Sequence, residues 1–192
     1  MEPLTGHTIS SRSVHSGERI SLKIDEFTLG DRPPVTKEII EHPGSVVMLP
    51  VTEDGDLLLI KQWRQAAGKV LMEAPSGTRE AGEDPLVTAH RELREEAGVR
   101  AEEMASLGGM WVAPGYSSEF THASLATKLT SDPLPQDAGE DIHTVSVSVA
   151  EVPELIRAQE LQDQMTIAVY YMAMHIFQEN GFQIEVNGQV KA

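Results

Sequence analysis

Apolar and polar side chains alternate with period two through Ile20-Ser21-Leu22-Lys23-Ile24-Asp25, as in a strand with one face on a core. The pattern predicts strands over 7–15 and 18–29, turning at Ser16-Gly17, until Asp31-Arg32-Pro33-Pro34 breaks it. A third strand is predicted from Lys37 to Glu41. His42-Pro43-Gly44 then marks a boundary, so 1–43 reads as a small antiparallel β appendage and 44–192 as the main domain.

The pattern changes after the boundary. Ser45-Val46-Val47-Met48-Leu49 is a continuous apolar run, the mark of a buried strand. Glu53-Asp54-Gly55-Asp56 signals a hairpin, with a return strand from Leu57 to Arg64 and a further strand ending at Glu73. A helix is predicted over 85–97, with Asp84 as N-cap, Pro85 in the first turn and Gly98 just past its end. Strands follow near 104–112, 121–129 and 143–149, then helices near 150–158 and 163–178. The tail from Gly181 carries little pattern, and no internal repeat or low-complexity segment occurs. This mixed order predicts an α/β fold, a sandwich with helices on both faces of a mixed sheet.

Composition narrows the function classes. A length of 192 residues suits one medium domain with an appendage, and 40% hydrophobic residues can supply its core. The net charge of −15 repels a nucleic-acid backbone, so no nucleic-acid partner is expected. It does not oppose a phosphorylated substrate that arrives with a divalent cation. Cysteine is absent, which excludes disulfides and thiolate zinc sites and makes the cytoplasm the expected compartment. No apolar run is long enough to cross a membrane, and Met1–Ser13 lacks the pattern of a signal peptide.

The predicted helix carries an apolar stripe of Leu86, Ala89, Leu93 and Ala97. Beside it stand Glu92 and Glu96, spaced i and i+4, with Glu95 one step around. Like charges at that spacing repel. Spacing alone leaves two readings open: a solvated acidic face, or oxygen ligands for a hard divalent cation.

The surrounding residues decide between them. Gly77, Glu83, Arg91-Glu92-Leu93, Glu95-Glu96 and Gly98-Val99 stand in the spacing G-x5-E-x7-R-E-U-x-E-E-x-G-U, where U is bulky and apolar. This resembles the Nudix box at all nine specified positions, a chance match of below roughly one in a million for a chain of ordinary composition. Further segments are similar to the ADP-ribose pyrophosphatase-like subfamily. They are Lys61-Gln62-Trp63-Arg64, Glu73-Ala74-Pro75-Ser76-Gly77, Ala113-Pro114-Gly115-Tyr116-Ser117-Ser118-Glu119, Gly139-Glu140-Asp141 and Gln162-Asp163-Gln164-Met165-Thr166. The third has alanine where the subfamily begins with serine. The resemblance spans roughly 44–178.

The resemblance implies a hydrolase that splits the pyrophosphate bond of a nucleoside diphosphate sugar, in the first place ADP-ribose to AMP and ribose 5-phosphate. It implies Mg²⁺, with Mn²⁺ as a substitute, held by Glu92, Glu96, the Ser76 carbonyl and, in an assisting role, Glu95. Arg91 would be structural, aiming a neighbouring glutamate. Arg64 and Glu73 would contact substrate, and Glu119 would deprotonate or orient the attacking water. The resemblance further implies a homodimer that packs through the 1–43 segment. That segment has no Trp or Tyr to stack a base, which leaves GDP-mannose or another sugar nucleotide open.

Other readings carry less. An ADP-ribose-sensing module without catalysis would have lost box glutamates, and none is lost here. A hydrolase of modified nucleoside triphosphates would lack the appendage and the Pro-Gly loop. A nucleophilic triad from Ser117, Ser118 and His122 lacks its G-x-S-x-G elbow. His90 reads as a variable position of the box, and the Tyr170, Tyr171 and Met172 face of the last helix as core or dimer contact.

Overall fold

The computed structural model describes residues 5–136 and 139–179, and the tail predicted to be weakly structured lies outside them. The chain divides into two compact units, residues up to Gly44 with Met110–Thr121, and Ser45–Gly109 with the residues from His122 onward.

The first unit holds an antiparallel sheet of β1 (Gly6–Ser16), β2 (Ser21–Leu29) and β3 (Val35–Glu41), in that order. Register shifts between Thr8 and Ser10, and between Ser13 and His15, break the alternation of β1. The turn is closed by Gly17 N–H donating to Ile20 C=O at 2.9 Å, so residues 18–20 belong to the turn and not to the strand. In the segment 110–121, Val112 N–H donates to Glu119 C=O at 3.2 Å and closes the Pro-Gly loop. That loop is tied to β3, with Ile40 N–H donating to Tyr116 C=O at 2.7 Å and Ser118 N–H donating to Ile40 C=O at 2.9 Å.

The second unit begins with β4 (Ser45–Pro50), buried at every position as its apolar run requires. Gly55, at φ +86°, turns the chain into β5 (Asp56–Arg64), with Thr52 N–H donating to Asp56 C=O at 2.8 Å. Next come β6 (Lys69–Glu73), the three-residue β7 (Ser76–Thr78), α1 (Pro85–Glu96), β8 (Val99–Trp111) and β9 (Phe120–Ser131). They are followed by β10 (Ile142–Ser148), α2 (Val152–Arg157) and α3 (Gln164–Glu179). The strands form two sheets of order β10-β5-β6 and β7-β4-β9-β8. β4 takes α1 against Val46 and Met48, and α3 packs on the same strand. The architecture is mixed α/β.

Two further differences from the pattern-based expectation lie in the second unit. β8 starts at Val99, directly after α1, because Gly98 at φ +68° reverses the chain with no intervening loop. β7 was not expected, since three residues are too few to show a period.

Candidate active site

α1 starts where its capping residues dictate. The Asp84 carboxylate accepts from Leu86 N–H at 2.8 Å, and Pro85 takes the first-turn position where its missing N–H costs nothing. Two adjacent stripes, each spaced by four, then run down the buried side: Ala89-Leu93-Ala97, and Thr88-Glu92-Glu96. The polar stripe therefore shares the core face and does not merely border it. Leu86, expected on that face, stands in the first turn of α1 and is 47% exposed, while Ala89, Leu93 and Ala97 of the same stripe are buried.

Glu96 is 4% exposed, and its Oε2 accepts the Ser76 backbone N–H at 2.7 Å. β7 brings this about by pairing Ser76 with Val47 of β4 at the end of the Glu73-Ala74-Pro75 segment. Glu92 lies against Gly77. A Cβ on Gly77 would stand 2.0 Å from the Glu92 carboxyl carbon, so only glycine leaves room for that carboxylate. Burial raises Glu92 to about 7, partly offset by Arg91. Burial also raises Glu96 to about 8 against the opposing Ser76 N–H, and the charge of Glu140 pushes both carboxylates in the same upward direction.

Arg91 holds the outer carboxylates. Its Nη1 donates to Glu92 Oε1 at 2.8 Å and to Glu95 Oε2 at 2.9 Å, and its Nη2 lies 3.7 Å from Glu83 Oε2. Glu83 is held below the usual carboxylate range, first by the Thr88 hydroxyl at 2.8 Å, then by the Glu80 N–H.

Arg64 and Glu73 bond to each other. Arg64 Nε donates to Glu73 Oε1 at 2.9 Å, and Nη2 donates to Oε2 at 2.5 Å. Glu73 is 2% exposed, while the arginine side chain remains 39% exposed. The negative charges of Glu73, Glu96 and Asp163 all act on Arg64. Glu119 belongs to the first unit, where its N–H donates to Ser117 Oγ at 3.1 Å.

The second unit thus brings together Glu92, Glu95, Glu96 and Ser76, with Arg91 and Glu140 acting on the carboxylates. Among the described residues, no three acidic or histidine side chains converge into a ready-made metal cluster. The donor set nonetheless fits a hard divalent cation, being all oxygen, with Glu92 seated against Gly77 and two carboxylates, Glu96 buried and Glu92 part-buried, that a cation would return to the charged form.

Sequence reasoning assigned no role to Glu140, Asp163 or Thr166. In the sequence their segments stand out only by resemblance, although each lies close to this chemistry. The Thr166 hydroxyl accepts from Ala74 N–H at 2.7 Å, two residues before Ser76.

Comparison with known proteins agrees with this geometry. The model of the NUDIX domain matches residues 41–168. The chain is 30% identical over 177 residues to the ADP-ribose pyrophosphatase of Bacillus subtilis, covering 91% of this chain and 96% of that protein. It is 31% identical over 170 residues to the methanol dehydrogenase activator of Bacillus methanolicus, covering 87% and 92%. A crystal structure of an ADP compounds hydrolase superposes with a TM-score of 0.82 at 19% identity, covering 94% of this chain and 99% of the other.

Proposed function

The chain belongs to the Nudix family and is a Nudix hydrolase, and from that premise we propose that it hydrolyses ADP-ribose to AMP and ribose 5-phosphate with Mg²⁺ as its metal. The observation that carries this reading is the paired arrangement of Gly77 against Glu92 and Ser76 N–H against Glu96. It sets buried Glu96 and part-buried Glu92 beside one bend of backbone at the start of the box. A pyrophosphatase of B. subtilis matched over nearly its whole length supports the substrate.

In this reading Glu92, Glu96 and the Ser76 carbonyl hold the metal, and Glu95 assists. A bound Mg²⁺ supplies charge neutralisation for the diphosphate and an acidified water. Arg91 keeps the outer carboxylates aimed. Arg64 offers its exposed edge to a phosphate or the terminal ribose, while Glu73, buried behind it, fixes the guanidinium plane and so serves substrate binding through Arg64. Glu119 orients the water or accepts its proton. The water oxygen bonds to one phosphorus, and the bridging oxygen leaves with the other phosphate.

The wider expectations are part of the same proposal: an appendage of 1–43 on a hydrolase domain of 44–192, a cytoplasmic enzyme, and a homodimer packed through the appendage. No helix among the described residues is long and apolar enough to cross a membrane.

The deciding experiment incubates the protein with Mg²⁺ and, separately, ADP-ribose, GDP-mannose, NADH and a nucleoside triphosphate, with products separated by chromatography. AMP with ribose 5-phosphate should dominate. Faster turnover of GDP-mannose moves the substrate to another sugar nucleotide. No turnover of any of them overturns the catalytic reading and favours a regulatory role, as the name of the B. methanolicus relative suggests for that protein.

A further inference from the structure

The start of α3 reaches the metal-side backbone through one side chain. Asp163 precedes the helix, and its Oδ2 accepts both the Thr166 N–H and the Thr166 hydroxyl, each at 2.7 Å. The hydroxyl proton is thereby committed to Asp163, so the hydroxyl oxygen is turned outward as an acceptor. That oxygen takes the Ala74 N–H at 2.7 Å, in a site where Thr166 is 1% exposed.

The backbone that follows Ala74 is held from two other sides. Pro75 C=O accepts from Met48 N–H of β4 at 2.9 Å, and Ser76 N–H donates to Glu96 of α1 at 2.7 Å. Three successive residues are thus fixed to three different elements, and Thr166 supplies the link to α3. Water cannot replace a lost bond easily here, because Ala74, Ser76 and Thr166 are all buried.

We infer that Asp163 and Thr166 are positioning residues, which set the Ala74–Ser76 backbone so that Ser76 meets Glu96 in the geometry that metal binding needs. The inference rests on the reading of Glu96 and Ser76 as metal-holding groups. Neither Asp163 nor Thr166 touches the metal or the substrate. They act through Ala74, as hydrogen-bonded neighbours of metal ligands do elsewhere. The proximity of Asp163 to this site is also felt at Arg64, whose charge it stabilises.

The test compares the wild type with Thr166→Val, which keeps shape and β-branching but loses the hydroxyl, and with Thr166→Ser, which keeps the hydroxyl. Mn²⁺ alone is titrated into each protein and free Mn²⁺ is followed by electron paramagnetic resonance. Thr166→Val should bind about tenfold more weakly, with its circular dichroism unchanged, and Thr166→Ser should recover to within about twofold. Equal binding by folded Thr166→Val and wild type overturns the inference, as does failure of serine to rescue. Hydrogen exchange of the wild type tests the same link without any variant. The Ala74 amide should be as protected as the core of α3, and fast exchange there overturns the inference even if Thr166→Val fails to fold. A wild type that takes up no Mn²⁺ overturns this inference together with the metal reading. Uptake of Mn²⁺ without ADP-ribose turnover overturns the substrate alone.

Discussion

The Cβ that Gly77 lacks would stand 2.0 Å from the carboxyl carbon of Glu92 and 2.1 Å from its Oε1. The obstructing atoms are the far end of a flexible side chain and not backbone. In Gly77→Ala the carboxylate can therefore swing aside at small cost to folding, and the damage falls on its position. Displacement of a reacting-site group by about 1 Å costs about 100-fold in rate. Gly77→Ala should lose about that factor in kcat while its melting temperature stays close to the wild-type value. A large fall in melting temperature with kcat retained would mean that the glycine serves the fold and not the site.

Glu92 and Glu96, whose burial disfavours their charge, make stability depend on pH and metal together. Folded, Glu92 and Glu96 keep their protons to about 7 and about 8, against an ordinary value of 4.5. Between those limits the folded chain binds more protons than the unfolded one, so rising pH favours unfolding. The stabilising contribution is full below about 4.5 and is lost as pH climbs through the two folded values. Glu83 acts in the opposite sense only below the same 4.5, and His122, lowered from 6.5 by burial, opposes the fall only below 6.5, one group against two. Thermal melts in chelator should therefore fall from about pH 5 to about pH 8.5, and saturating Mg²⁺ should remove most of the fall. A chelated protein whose melting temperature rises over that span would contradict the burial of these groups.

Arg64 and Glu73 separate structural from functional roles. Arg64→Met leaves the Glu73 charge buried without its partner, a loss of about 3 kcal/mol. The double variant Arg64→Met with Glu73→Leu should regain most of that stability, since an apolar pair can replace an ion pair of similar volume. Turnover should not return with it, because the guanidinium offered to substrate is gone. Denaturant unfolding and steady-state kinetics on the same samples decide the matter. Recovery of both would make the pair purely structural.

How much of this was legible in the sequence depends on how far each interaction reaches along the chain. The cap at Asp84, the hairpin at Gly55 and the box spacing are local, and all could be read from neighbouring residues. Of the apolar stripe 86, 89, 93 and 97 only Leu86, in the first turn, is exposed, and the buried face also takes in Thr88 and Glu96, which apolar character does not mark. Residues with oxygen-bearing side chains on a core face look like surface until their partners are known. Those partners are distant: Ser76 for Glu96 is 20 residues away, and Ala74 for Thr166 is 92. No period or local propensity encodes such pairs. The grouping of Met110–Thr121 with the first unit has the same origin, in backbone bonds between Ile40 and the Tyr116–Ser118 turn.

Arg91 and Glu140 act on the same carboxylates with opposite sign, which gives a paired prediction on the acid limb of the activity profile. Arg91 lowers Glu92, so Arg91→Gln removes the positive charge that stabilises ionised Glu92 and should move the limb to higher pH. Glu140 raises both Glu92 and Glu96, so Glu140→Gln should move it to lower pH. Metal competes with protons for these groups, so the limb should be followed at fixed, subsaturating Mg²⁺. The position of the limb is independent of the height of the profile, so a general loss of turnover in either variant does not mask the shift. Movement of both limbs in one direction would mean that the variants act through altered folding, and not through the charge on Glu92 and Glu96.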